Sequence, residues 1–282
     1  MIWRAVREAL PARHRGVTLA GFLVVGALAL TAVLASHILP GSPTEIAKDQ
    51  ALRAPTWAEP FGFDDLGRSI LSRVGHAYRV SLGVALASVG LALLAGVPLG
   101  LVAGYAEGPL DQLIMRPLDV LMSFPAILLA IALMSVFGTG VALVALSLAV
   151  VYTPIVARVV RAAVLAVKVE VYVDGARALG APTLRLVAHH VLPNAATPIL
   201  VQASVLMAIA ILVEASLSFL GVGVRPPTPS LGLMLADGRG FMAQAPWMVI
   251  FPGLAIMAAV LGFNMVADGL RDWLDPHQTA GR

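Results

Sequence analysis

The chain alternates long apolar runs with short segments in which charge, glycine and proline collect. A helix needs about 20 apolar residues to cross the hydrocarbon core of a bilayer. Six stretches qualify: 17–38, 80–104, 117–137, 139–161, 195–221 and 246–267. The third and fourth are parted only by Gly138-Thr139-Gly140, which reads as a tight turn. The pattern predicts an all-α membrane protein with six transmembrane helices and no internal repeat. The first run follows Arg4, Arg7, Arg13 and Arg15 and so looks superficially like a secretory signal. It exceeds the ~7–15 apolar residues of such a signal and no small-residue cleavage site follows, so it is read as a retained helix.

The polar stretch at 39–79 is the longest. Pro40, Pro43, Pro55 and Pro60 mark an extended linker, and FGFDDLGRSILSRV follows. Asp64 or Asp65 would cap a helix there, with Leu66, Ile70, Leu71 and Val74 at helical spacing. A short amphipathic helix on the outer interface is expected. Residues 1–78 thus form a first helix, linker and surface helix, 79–276 a five-helix core, and 277–282 a tail.

Composition and charge sharpen this picture. Hydrophobic residues make up 59% and charged residues 12%, against about 25% charged in soluble domains. Lipid must therefore solvate much of the chain. The net charge of +3 is explained by the excess of Lys and Arg in cytoplasmic loops rather than by nucleic acid. The N-terminal tail, and the 158–193 loop with Arg158, Arg161, Lys168, Arg177 and Arg185, are expected in the cytoplasm. The uncharged turn at 138–140 and the 222–245 loop, with only Arg225, Asp237 and Arg239, belong outside. Both termini then lie inside.

Cysteine is absent, so there is no disulfide framework and no thiolate metal site. Lysine occurs only at Lys48 and Lys168, neither after a glycine, so the chain has no GxxxxGK[ST] phosphate loop. No Ser-His-Asp grouping, HExxH or paired-acid site stands out. The neighbours His189 and His190 would point about 100° apart on a helix and read as a solvated pair, not as metal ligands. No catalytic and no metal-binding residue is assigned. Gly96, Gly100 and Gly104 form a GxxxGxxxG face, either a packing seam within the subunit or a subunit interface. Glu214 sits inside the fifth run, where a carboxylate is expensive. It either lines a substrate path or is a hydrogen-bonded packing residue. Asp119 is expected to be structural, and Trp247 and Trp273 suit the membrane interface.

The segment 170–194, EVYVDGARALGAPTLRLVAHHVLPN, interrupts the runs with a charged helical stretch. Tyr172, Ala176 and Leu179 recur at i, i+4 and i+7 as one apolar stripe, with Glu170, Asp174 and Arg177 off it. Gly180 suits a left-handed helix C-cap, and Pro182 forbids continuation of the helix. The segment is either a helix lying on the membrane surface or a docking helix for a cytoplasmic partner.

DGARALGAPTLRLVAHHVLPN resembles the EAA motif of ATP-binding cassette (ABC) importer permeases. Asp174-Gly175-Ala176 stands where EAA would, Gly180 matches the motif glycine, and Val191-Leu192-Pro193 match its ending. The departures are Asp for Glu, and Gly175 for Ala, which weakens a helix by about 1 kcal/mol. PFGFDDLGRSILSRVGHAYRVSL (60–82) is similar to the segment before the second span of dipeptide/oligopeptide-type permeases, with Phe63 for the usual Thr and Ser69 for Asp. DVLMSFPAILLAI (119–131) and VARVVRAAVLAV (156–167) match the family as well. The stretch 225–276 resembles its C-terminal signature, with Leu231 where Trp is common. The resemblance covers about 59–276 and points to the C-type permease of a Dpp/Opp-like peptide/nickel importer.

That resemblance implies a type I importer permease fold in the bacterial cytoplasmic membrane, with both termini cytoplasmic. It implies a loop at about 168–192 that docks on an ATPase, through Asp174, Gly175, Ala176, Arg177, Gly180, Leu192 and Pro193. It further implies two cytoplasmic ATP-binding cassette subunits, a sibling permease, an extracytoplasmic solute-binding protein, and ATP and Mg held on the ATPases rather than on this chain. Di- or oligopeptides are the expected cargo; nickel or another small solute is the alternative within the family. Two readings from other classes fit less well. An ion-driven secondary carrier would want inverted repeats and several buried ionisable groups, and an intramembrane enzyme would want a catalytic constellation.

Overall fold

The structure, a computed structural model, describes residues 12–38 and 42–274. Arg4, Arg7, Pro40 and the expected tail at 277–282 lie outside the described residues. The elements, in order, are α1 (Ala12–Ile38), α2 (Ile70–Ala106), α3 (Gly108–Met122), α4 (Ala126–Phe137) and α5 (Val141–Val167). They continue with α6 (Val171–Ala178), α7 (Thr183–Phe219), α8 (Leu231–Gly238) and α9 (Trp247–Leu274). Five helices are long and apolar enough to span a membrane. α3 and α4 together make a sixth span, bent by 92° at Ser123-Phe124-Pro125.

α2 and α5 form the most extensively packed pair. They run parallel, and the glycine seam explains why. A Cβ on Gly96 would lie 2.8 Å from Val156, one on Gly100 2.4 Å from the Ala157 carbonyl, and one on Gly104 2.9 Å from Val164. Glycine at four-residue intervals lets the two backbones touch. The face is thus an internal seam, the first of the two readings above. α1 packs antiparallel on α9, with Gly21 against Met265 and Gly262 against Val24. Ala12 and Leu274 therefore end at the side of the bundle that carries α6.

Two sequence expectations change. No separate surface helix forms over 64–78. Helix α2 starts at Ile70, ten residues before the expected start, and runs unbroken to Ala106. Its cap is Ser69, whose hydroxyl accepts from the Ser72 amide, not Asp64 or Asp65. The reason lies in Asp64. Its carboxylate accepts from the Leu66 and Arg68 amides, both at 2.9 Å, and so holds 64–68 as a turn rather than a helix. The second change is the break in the third span. Pro125 has no amide to give and disfavours helix at the residue before it.

The 42–69 segment folds onto the start of α9 at the opposite end from α6. Trp247 donates from its indole to the Phe63 carbonyl at 3.1 Å. Phe61 stacks on Phe251 with centroids 4.1 Å apart. Trp247 is thus an anchor within the protein. Gly67, at φ +75°, lies where a Cβ would meet the Ala47 carbonyl at 1.8 Å, so only glycine closes this turn.

Candidate functional site

α6 stands clear of the bundle between α5 and α7. It ends in a complete Schellman motif: the Ala181 amide donates to the Ala176 carbonyl, and Gly180 donates to Arg177. Gly180 has φ +81°, as its sequence context predicts. Pro182 opens the return arm, which becomes α7 through a π-helical turn at Val187–Val191. His189 and His190 lie in that turn, and no cluster of potential metal ligands occurs among the described residues.

The side of α6 that the bundle holds differs from the one the periodicity indicated. Val173 is fully buried, and Leu186 of the return arm is buried as well. Tyr172 and Leu179, two members of the expected stripe, face outward; Leu179 is 91% exposed. Val171 and Leu184 are also exposed, at 85% and 80%. Val173 wins because one residue suffices to anchor so short a helix, and it points at the bundle. The result is an exposed apolar surface beside an ion pair, Arg177 to Asp174 at 2.6 Å. Partial loss of water around the ring, and next the charge of Glu170, raise the Tyr172 phenol above its ordinary value. Gly175 has open space around it, and Leu192 and Pro193 lie on the rising arm within α7.

Glu214 is fully buried. Its carboxylate accepts from Ser81 of α2 at 2.7 Å, and from Ser218 of α7 and Ser230 before α8, each at 2.9 Å. Every one of these serines is buried. The group is a hydrogen-bonded hub joining two spans to the loop before α8, and in this conformation it reaches no open surface. Of the two readings of Glu214, the geometry matches the packing residue. A second cluster, at the end of the bundle opposite α6, joins Asp64 and Arg73, both buried, to Arg68 and Asp237. Burial outweighs the arginines around Asp237 and raises its carboxyl above the ordinary range.

At the other end an ion-pair ladder ties α3 to α5. Lys168 pairs with Glu107 and also donates to the Gly104 carbonyl at 2.9 Å. Arg161 grips Asp111 with two bonds of 2.6 Å, and Arg158 reaches Asp119 at 2.5 Å. Sequence reading counted these arginines as loop charges and missed the pairing. The complementary runs Glu107/Asp111/Asp119 and Arg158/Arg161/Lys168 were the available signal.

Residues 96–279 match the family model described as binding-protein-dependent transport system inner membrane component. The chain belongs to this family. The permease is 43% identical over 270 residues to the dipeptide transport system permease protein DppC of Escherichia coli K12, covering 94% of this chain and 90% of that one. It is 40% identical over 274 residues to the protein of the same name in Alkalihalophilus pseudofirmus, covering 97% and 90%. A di/tripeptide transport system permease protein from Pseudomonas aeruginosa is 41% identical, with 93% and 89% covered. Among solved structures, inward-facing MetNI methionine ABC transporter matches with TM-score 0.57 at 18% identity, over 70% of this permease and 93% of that chain. An amino acid ABC transporter crystallised with histidines matches at TM-score 0.54. At such identities the likeness is one of fold, the type I importer permease fold that the sequence resemblance implied.

Proposed function

We propose that this permease forms, with a sibling permease, the membrane pathway of an ATP-driven importer of di- or oligopeptides. An extracytoplasmic binding protein delivers the peptide, and two ATP-binding cassette subunits dock on the segment at about 168–192. The single observation that carries the docking is the outward apolar face of α6 and its return arm. Val171 and Leu179 are exposed on a segment outside every span, and Leu184 is exposed in the first turn of α7, so the bundle covers none of the three. A groove on a partner would cover them and hold the Asp174–Arg177 pair at its rim. The rigid Gly180 turn would pass a push from the ATPases to α7. Peptide cargo rests on the dipeptide and di/tripeptide permeases among the relatives.

In this arrangement α6 and both chain ends face the cytoplasm of a bacterial cell. ATP and Mg bind the ATPases, and residues Asp174 to Pro193 transmit force without doing chemistry. The tagged permease is expected to bring an ATPase with a phosphate-binding loop and a second six-span permease out of detergent-solubilised membranes. Recovery of the chain alone and self-associated would instead favour a secondary carrier.

A further inference from the structure

The ladder between α3 and α5 ends on one ammonium at the root of α6. Lys168 caps the C-terminus of α5, and only residues 168–170 separate that helix from Val171 at the start of α6. Its side chain is 13% exposed and reaches the end of α2, where it donates to the Gly104 carbonyl at 2.9 Å. That carbonyl is among the last four of α2, which lack amide partners within the helix. The ammonium also meets the negative end of the helix dipole there. It pairs at the same time with the carboxylate of Glu107, in the turn that joins α2 to α3. One turn into α3, Arg161 of α5 grips Asp111. The ends of α2, α3 and α5 thus meet around Lys168, directly before α6.

The backbone at Glu107 is strained. It has φ +54° and ψ −171°. Among the described residues Leu52 is the only other non-glycine residue with positive φ. Side chains rarely adopt such a backbone, and it persists only where the surroundings hold it. Glycine at this position would be free of the cost, and Gly108 follows at φ +62°. Glutamate instead places a charge at the turn, and Lys168 takes that charge up. The strained turn between two spans is therefore held by a residue of a third, at the root of the exposed segment.

We propose that Lys168 and Glu107 are positioning residues for coupling, the second arm by which α6 acts on the spans. The first arm runs through Gly180 to α7. Through the second, a push on α6 moves Lys168, Glu107 loses its counter-ion, and the turn at 107–108 relaxes. α3 then shifts against α2. This assignment rests on the importer reading above.

Because the chain lacks cysteine, Val102→Cys in α2 and Leu110→Cys in α3 take spin labels cleanly. Both positions are exposed and lie outside the docking segment. Distances between the labels are measured by double electron–electron resonance in the assembled transporter, at rest and with the ATPases trapped closed by ATP and vanadate. Trapping is expected to change the 102–110 distance by about 2 Å or more, the size of helix shifts in such transitions. In the Glu107→Gln background that change is expected to vanish. Unlabelled Glu107→Gln should still co-purify the ATPases but import at least about fivefold less peptide per ATP hydrolysed. Glu107→Asp keeps the charge and should recover most of that loss. Lys168→Gln breaks the pair from the other side and should show the same two losses, which keeps the test decisive if Glu107→Gln fails to assemble. No distance change on trapping with Glu107 and Lys168 intact, the same change once the pair is broken, or unaltered peptide import per ATP in the broken-pair variants would overturn the assignment. ATP-dependent dipeptide uptake by the unmodified transporter, measured alongside, tests the importer reading separately.

Discussion

Replacing Glu214 by alanine removes the acceptor that three buried serine hydroxyls share. Ser81 and Ser218 sit in helices and can turn to a backbone carbonyl one turn back, which limits their cost. Ser230 lies in extended backbone before α8 and has no such carbonyl. Its hydroxyl would be left unpaired, at about 1–3 kcal/mol. The space left by the shortened side chain adds about 1–2 kcal/mol, and relief from burying a carboxylate subtracts part of the sum. The expected loss is about 2–4 kcal/mol. It should fall on one place. The start of α8 lies so close to α7 that a Cβ on Gly232 would meet the Ala215 carbonyl at 1.9 Å. Losing the Ser230 anchor should therefore loosen 228–238 first. Denaturant unfolding of the purified permease in detergent, with hydrogen exchange of the α8 amides, measures both effects. Glu214→Gln keeps one acceptor oxygen and should cost about 1 kcal/mol. Alanine within 0.5 kcal/mol of wild type, with α8 exchange unchanged, would refute the hub.

The remaining predictions concern other contacts. Gly100→Ala places a Cβ 2.4 Å from the Ala157 carbonyl, where ordinary contact begins at 3.4 Å, so α2 and α5 must part by about 1 Å. It should lower thermal stability by about 1–2 kcal/mol after the helix gain of alanine. Gly90→Ala in the same helix meets nothing within 4 Å and should be neutral or stabilising by up to ~1 kcal/mol. Asp237 has its carboxyl raised from 3.8 by burial, so the folded state holds this proton more tightly than the unfolded one. Its contribution is present below pH 3.8 and is lost as pH rises through the higher folded value. Asp237→Asn should therefore show a smaller fall in melting temperature between pH 4 and 7 than wild type. Leu179→Asp on the exposed face of α6 should leave the melting temperature unchanged and weaken ATPase co-purification.

The spans were legible because hydrophobic runs of bilayer length have few other uses, and their order survives in the fold. The Gly180 cap and the glycine seam were legible for the same kind of reason: each follows from what one residue type permits. What stayed hidden depended on partners distant in sequence. The early start of α2 was masked because Asp64 looks like a helix cap when it in fact closes a turn with Arg68. The bend before Pro125 was masked by apolar residues on both sides of it. The stripe Tyr172–Ala176–Leu179 has the right period but faces outward, because periodicity finds a face and not its direction. Glu214 could be read as buried in a span, but its three serines come from three separate segments.

The most direct test reconstitutes the permease with its sibling and ATPases in liposomes, adds the binding protein outside, and measures labelled dipeptide uptake with and without internal ATP. The account predicts ATP-dependent accumulation that Asp174→Arg abolishes while the complex still hydrolyses ATP. Uptake that persists without ATP, or that Asp174→Arg leaves unchanged, would contradict it.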